Sequence, residues 1–282
     1  MNIKLICLLM LVLGTFPLLS QPSFGEYLGG EEVLNAETKQ VNQFFRRFNC
    51  EESPAGKRYY PGDALYRDPR TREQYLEALF DKSNTSISPR KKAAFISDVV
   101  YGSPPQFLNF HGGDWLAEVS AKFRYRGREE VIQLFLQLQE EPVGSKWVIT
   151  RAYGDVFARE FAALNAGKDD PENQKFLHPM SHELDFINLG KIFQSTQQLE
   201  MYASQDFRPD HLTLFLFEMK RGNMKYVSVM DVKFHFFQIK NWYFELTDVQ
   251  RPGKNRGWLI TGLAEIPEHK KDLLLKFIYH EN

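Results

Sequence analysis

His178 and His182, four residues apart in His178-Pro179-Met180-Ser181-His182-Glu183, have the spacing with which one helix face grips a metal ion. Pro179 and Ser181 break that geometry. Ser181 reads as a helix N-cap, which leaves His178 outside the helix. No second histidine–carboxylate set completes a tetrahedral site, so the segment reads as a surface helix start, with no metal and no cofactor. Asp231, Lys233 and His235 alternate along one strand and share a face, where an aspartate–histidine pair can serve as base and orienting partner. The earlier run Glu118, Ser120, Lys122 and Arg124 has the same polar alternation, and both read as solvated sheet surface. His111-Gly112-Gly113-Asp114 has the composition of a phosphate cradle but opens no helix, so it reads as a hairpin turn. Ser88-Pro89-Arg90-Lys91-Lys92 reads as a solvated basic loop, and Asn84-Thr85-Ser86 as a glycosylation acceptor in a eukaryotic secretory host only. No nucleophile elbow, phosphate-binding loop, zinc ribbon or EF-hand loop is found. No catalytic residue is assigned.

The compartment follows from the first residues. Lys4, the apolar run Leu5–Leu13 and the breakers Gly14 and Pro17 read as a signal peptide cleaved before Gln21 or Glu26. The run is about half of the ~20 residues a spanning helix needs, so it is not read as an anchor. The expectation is an exported chain, periplasmic or extracellular, that does not span a membrane. With 35 basic against 36 acidic residues, the cationic excess of a phosphate-binding protein is missing, which excludes nucleic acid as a partner. Once Cys7 leaves with the signal, Cys50 stands alone and reads as a small half-buried hydrophobe.

Stepping along the chain, Val41, Phe44, Phe45 and Phe48 recur at helical spacing. Thr71-Arg72-Glu73 opens a second helix with the stripe Tyr75, Leu76, Leu79 and Phe80. Period-two segments at 93–101, 115–126, 131–139 and 146–153 predict a four-stranded antiparallel meander. The order then returns: helices at 155–165 and 184–193, then strands at 211–219, 225–239, 242–249 and 257–264. An offset of 111 residues aligns Trp115–Thr150 with Tyr226–Thr261 without a gap, matching Lys122-Phe123 to Lys233-Phe234 and Trp147 to Trp258. One stretch disagrees. The apolar set Ile132, Leu134, Leu136 has the opposite parity to Trp242, Phe244, Leu246, which predicts a bulge or a shifted turn.

The fold class expected is therefore α+β, in two related modules at 26–154 and 155–282, behind a signal region at 1–25. Each module would pack its N-terminal helices on a curved, four-stranded antiparallel sheet. This layout resembles the cystatin-like or nuclear-transport-factor-2-like cone in tandem. Phe44-Phe45-Arg46-Arg47-Phe48-Asn49 resembles the first helix of exported proteins of gut Bacteroidetes. The resemblance implies a cone that holds a small apolar ligand or pairs through its sheet face, with isomerases or lyases as a minority. The aromatic side of the meanders is the expected contact surface: Trp115, Phe123 and Tyr125 in one module, and Tyr226, Phe234 and Phe236 in the other. The leading expectation is a non-catalytic binding module. A protein-interaction protein comes second and an open-cone enzyme third. The oligomeric state is left open.

Overall fold

Val41, Phe44, Phe45 and Phe48 are all buried, and helix α1 (41–48) forms because their spacing puts them on one face. The computed structural model describes residues 41–142, 144–165, 210–252 and 255–281. Helix α2 (Pro69–Leu79) starts at Asp68, whose carboxylate accepts from the Thr71 N–H at 2.8 Å, with Pro69 in the first turn. Helix α3 (Pro89–Tyr101) starts in the same way at Ser88.

The six described strands form one antiparallel sheet. They are β1 (Trp115–Tyr125), β2 (Arg128–Glu141), β3 (Gly144–Tyr153), β4 (Met224–Phe236), β5 (Trp242–Val249) and β6 (Gly257–Glu265), in the order β3-β2-β1-β4-β5-β6. Helix α4 (Asp155–Asn165) follows β3, α5 (His211–Lys220) precedes β4, and α6 (Glu268–Ile278) follows β6. The α+β class stands, but each half contributes three strands to a shared sheet. The segments 93–101 and 211–219, expected as strands, are helices α3 and α5. In α3 the residues Phe95, Ile96, Val99 and Val100 bury one helical face; their branched composition hid a period of 3.6. In α5 the consecutive apolar run Leu214 to Phe217 wraps around the helix, so no period shows, and the Asp210 cap decides the outcome.

The main core lies between the sheet and helices α1 to α3. Along β1 the residues Trp115, Ala117, Val119, Ala121, Phe123 and Tyr125 all face it. A smaller core on the back face joins Leu116, Phe135, Phe237 and Tyr243 to α6. Lys271 of α6 donates to the carbonyls of Phe237 and Ile239, both at 2.7 Å, and so clamps that helix on the sheet.

Register explains the parity conflict. The ladder skips Thr150 in β3 and Thr261 in β6, residues that stand 111 apart. Ile132, Leu134 and Leu136 stand 110 residues before Trp242, Phe244 and Leu246, and all six face the same core. A bulge in each outer pair and a turn one residue shorter therefore bring the two apolar sets onto one side. Two further bulges in β4 skip Val227 and Met230, which puts Met230 outside, although period-two reading places it in the core.

Arg72, read from the sequence as part of a polar helix start, is 1% exposed. It donates to the carbonyls of Phe48 at 3.0 Å, Val99 at 3.2 Å and Gln106, and its guanidinium lies 4.2 Å from the Phe107 ring centre. Phe48 O is an orphan carbonyl at the end of α1, and Val99 O near the end of α3 also accepts from the Gln106 N–H at 3.0 Å, so one cation ties the two helix ends together. Burial, then the charge of Arg67, pushes Arg72 down to about 10, which still leaves it charged at neutral pH. Arg72→Met removes donors to three carbonyls, of which Val99 O keeps the Gln106 N–H, and a carbonyl left unpaired costs on the order of 1–3 kcal/mol. Urea unfolding is expected to show a loss of about 3 kcal/mol or more, and a loss below about 1 kcal/mol would contradict this capping role.

Candidate functional site

The six aromatics singled out in the sequence are brought together, but as core. Trp115, Phe123, Tyr125, Phe234 and Phe236 are buried, and Tyr226 is half-buried against Phe123. Trp115 stacks on Phe236 at 5.5 Å, and α1 covers both through Phe45 and Phe44. Phe123 is covered by Phe215 of α5. Tyr125 donates its hydroxyl proton to Glu160 at 3.3 Å, and burial, with Glu160 next, pushes its phenol up to about 12. Helices thus fill the side of the sheet expected to hold a ligand.

The face expected to be solvated is partly closed. Asp231 is exposed, but His235 is only 2% exposed. The reason is α6, which lays its apolar side over this part of the sheet. His235 Nε2 lies 2.8 Å from Glu118 Oε2 on β1, and Nδ1 lies 2.6 Å from the Tyr243 hydroxyl on β5. Tyr243 has one proton and donates it to Glu245 at 2.7 Å. Both imidazole nitrogens are therefore partnered, one by a carboxylate and one by a phenol. Burial pushes Glu118 up, but the His235 hydrogen bond and charge pull it further down, and the net is below its ordinary value. Burial, then the Glu245 charge, pushes the Tyr243 phenol well up. This is a satisfied structural network joining three strands, and Asp231 has no part in it.

A different place has the form of a site. A pocket of about 380 Å³ lies at the β6 edge of the sheet, between α1, the loop at Pro54, and α2. Helix α1 contributes Gln43, Phe44 and Arg47, and α2 contributes Tyr75, Ala78 and Leu79. Strand β6 enters through Arg256, Gly257, Trp258 and Leu259. Gly257 has φ +87°, a left-handed turn into the strand that favours glycine. The edge beyond the pocket is covered: Asp81 N–H donates to Ile260 O at 3.1 Å, and Asn84 Nδ2 donates to Thr261 O at 2.6 Å. Asn255 and Arg251 tie that segment down, the latter by a 2.6 Å ion pair with Asp81.

Two donors in this lining stand out. The indole Nε1 of Trp258 and the Nε of Arg47 are buried without a hydrogen-bond partner among the described residues. Glu52 explains Arg47. That buried carboxylate takes Gln43 at 2.6 Å and Arg46 at 2.7 Å, leaving Arg47 Nε at 3.7 Å, too far for a hydrogen bond. Tyr75 shares a 3.2 Å contact with Tyr59, and burial, then that contact, pushes its phenol up, so it remains a neutral hydroxyl. Trp258 is buried against Phe234 at 4.8 Å, as its spacing from the core residues of β6 predicts, whereas Trp147 is half-buried against Trp115. None of the polar pocket residues forms a sequence motif. They come from three distant segments, and only an orphaned donor in a folded core marks them.

Elsewhere, Cys50 is fully buried, and burial, then Asp68, pushes its thiol up, as suits an inert hydrophobe. Ser88 to Lys92 forms the first turn of α3 rather than a loop, and the turn at His111–Asp114 follows a loop rather than a strand. His178, His182, Glu183 and the signal region at 1–25 lie outside the described residues. Among the described residues no cluster of metal-ligand type occurs, and no helix is long and apolar enough to cross a membrane. No protein-family model, curated protein or solved structure matches this chain.

Glu118 gives the back-face network a pH signature. Its folded-state pKa lies below the ordinary 4.5, so its contribution is complete above that value and fades as pH falls through the lowered one. Urea unfolding across an acid pH series should show Glu118→Gln losing part of the acid-induced fall in stability. Curves for variant and wild type that run parallel through the acid range would contradict the network.

Proposed function

We propose that the chain is an exported, non-catalytic binding protein that holds a small molecule in the pocket between α1, α2 and β6. The observation that carries this reading is the lining itself: apolar walls from Phe44, Leu79 and Leu259, with two buried, unpartnered N–H donors. Small-molecule sites have this make-up, mostly apolar with a few polar groups, and about 380 Å³ lies at the small end of their range. The ligand is moved from the sheet cone to the sheet edge, because core packing occupies the six aromatics.

The same proposal takes the halves β1–β3 and β4–β6 as copies of one unit. The shared 111-residue spacing of the skipped threonines and of Trp147 and Trp258 supports this. The kinship with cystatin-like or nuclear-transport-factor-2-like folds rests on helices packed against a curved antiparallel sheet. Export rests on Lys4 and the run Leu5–Leu13. Use of bare sheet faces as the working surface has less support, since α1 to α3 cover one face and α6 covers part of the other.

Ala78 is exposed on α2 and lines the pocket, so Ala78→Trp fills the space without touching the core. A thermal-shift panel of small amphiphiles should stabilise the wild type and leave this variant unmoved. A ligand at about 100 times its Kd adds about 2.7 kcal/mol, which is readily visible. A panel that shifts both proteins equally, or neither, would contradict binding in this pocket.

A further inference from the structure

We infer that the ligand is a small organic acid, with its carboxylate on Trp258 and Arg47 and its apolar body along Phe44, Leu79 and Leu259. The inference rests on the pocket being a binding site and adds the chemical class of its occupant. Both orphaned groups are donors, so the missing partner is an acceptor. Trp258 is 6% exposed, and its indole N–H has no acceptor among the described residues although the ring lines the pocket. An N–H withdrawn from water and left unpaired is costly, and a ligand oxygen removes that cost on binding.

Charge selects the acceptor. The lining carries two guanidinium groups, Arg47 and Arg256, and no carboxylate among the described residues. Glu52 lies near Arg47, but its oxygens are already held by Arg46 and Gln43 at hydrogen-bond distance. An anion entering the pocket therefore meets donors already desolvated at Trp258 and Arg47, where a charged hydrogen bond is strongest, and a net positive charge, since Glu52 offsets only part of Arg46 and Arg47 and Arg256 is exposed. Asp248, paired with Trp258 across the β5–β6 ladder and with its Oδ1 buried without a hydrogen-bond partner among the described residues, opposes any anion at the indole, so Arg47 must supply the attraction. An oxygen pair of a carboxylate can accept from two N–H groups at once, as separate donors on α1 and β6 require. The remaining lining sets Gln43, Tyr75 and Arg256 beside Phe44, Ala78, Leu79 and Leu259, and the apolar part rewards a hydrocarbon or aromatic body.

Octanoate, 1-octanol and octylamine share one tail and differ in the head group, so calorimetric titration of the full chain separates tail from head. Octanoate is expected to bind about tenfold or more tightly than octanol, and octylamine most weakly. Trp258→Phe keeps the ring and removes the donor, while Arg47→Met keeps the stem of a partly exposed side chain. Each should erase most of the preference for octanoate over octanol. Circular-dichroism spectra and thermal unfolding midpoints matching the wild type show that the variants are folded. Octanoate and octanol binding equally would overturn the acid assignment and leave the pocket as a binding site. A preference that survives both substitutions, or vanishes at about 1 M salt, would place the anion on exposed charge instead and overturn the inference. No binding of any probe would overturn the pocket reading together with it.

Discussion

An aromatic column through the middle of the sheet is the contact on which the rest depends. Trp115 of β1 stacks on Phe236 of β4, Phe236 stacks on Phe244 of β5 at 4.7 Å, and Phe244 stacks on Phe48 of α1 at 5.8 Å. Each such pair adds about 0.5–1.5 kcal/mol beyond its buried area, and the column crosses the seam where the two three-stranded halves meet. It also sets α1 on the sheet. Phe44 touches Phe236 and Phe244, so the turn that carries Gln43 and Arg47 is held over the β6 edge. Without the column the β1–β4 ladder loses its main side-chain support and α1 loses its seat on the sheet.

The pocket is a consequence of how an edge strand is closed. β6 ends the sheet, and its backbone groups beyond the pocket are taken by Asp81 and Asn84. That cover stops short of Arg256 to Leu259. There α1 and α2 stand away from the strand, and Arg72 ties the C-terminal end of α1 to α3. Space, apolar walls and unpaired donors therefore occur together. The back face was resolved differently: α6, clamped by Lys271, closes it over a fully partnered Glu118–His235–Tyr243 chain. One half-open polar region is satisfied by the protein itself, and the other keeps two buried donors without a partner among the described residues.

Much of the framework was legible in the residues. The helix at 41–48 followed from four apolar positions, and the inner alternation of β1 followed from Trp115 to Tyr125. The segments that misled did so for physical reasons. Branched residues in α3 and apolar residues all around α5 made helices resemble strands. The bulges at Val227 and Met230 turned side chains over within a single strand. The candidate site was not legible, because nothing in the spacing of Arg47, Tyr75 and Trp258 marks them as neighbours. The aromatic surplus on one sheet face pointed to a ligand, yet the fold used it to hold α1 and α5. Tertiary contacts between distant segments decide both outcomes.

Capture of an acid by the indole of Trp258 is tested most directly at that indole. The chain has four tryptophans, and Trp115 and Trp242 already donate their Nε1 protons, to Phe110 O at 3.0 Å and Asp98 at 2.9 Å. A ¹⁵N-indole NMR titration with octanoate should move one Nε1–H resonance downfield to saturation, the one absent from Trp258→Phe, while those of Trp115 and Trp242 stay in place. If the Trp258 resonance does not move at saturating octanoate, the pocket does not hold its ligand in this way.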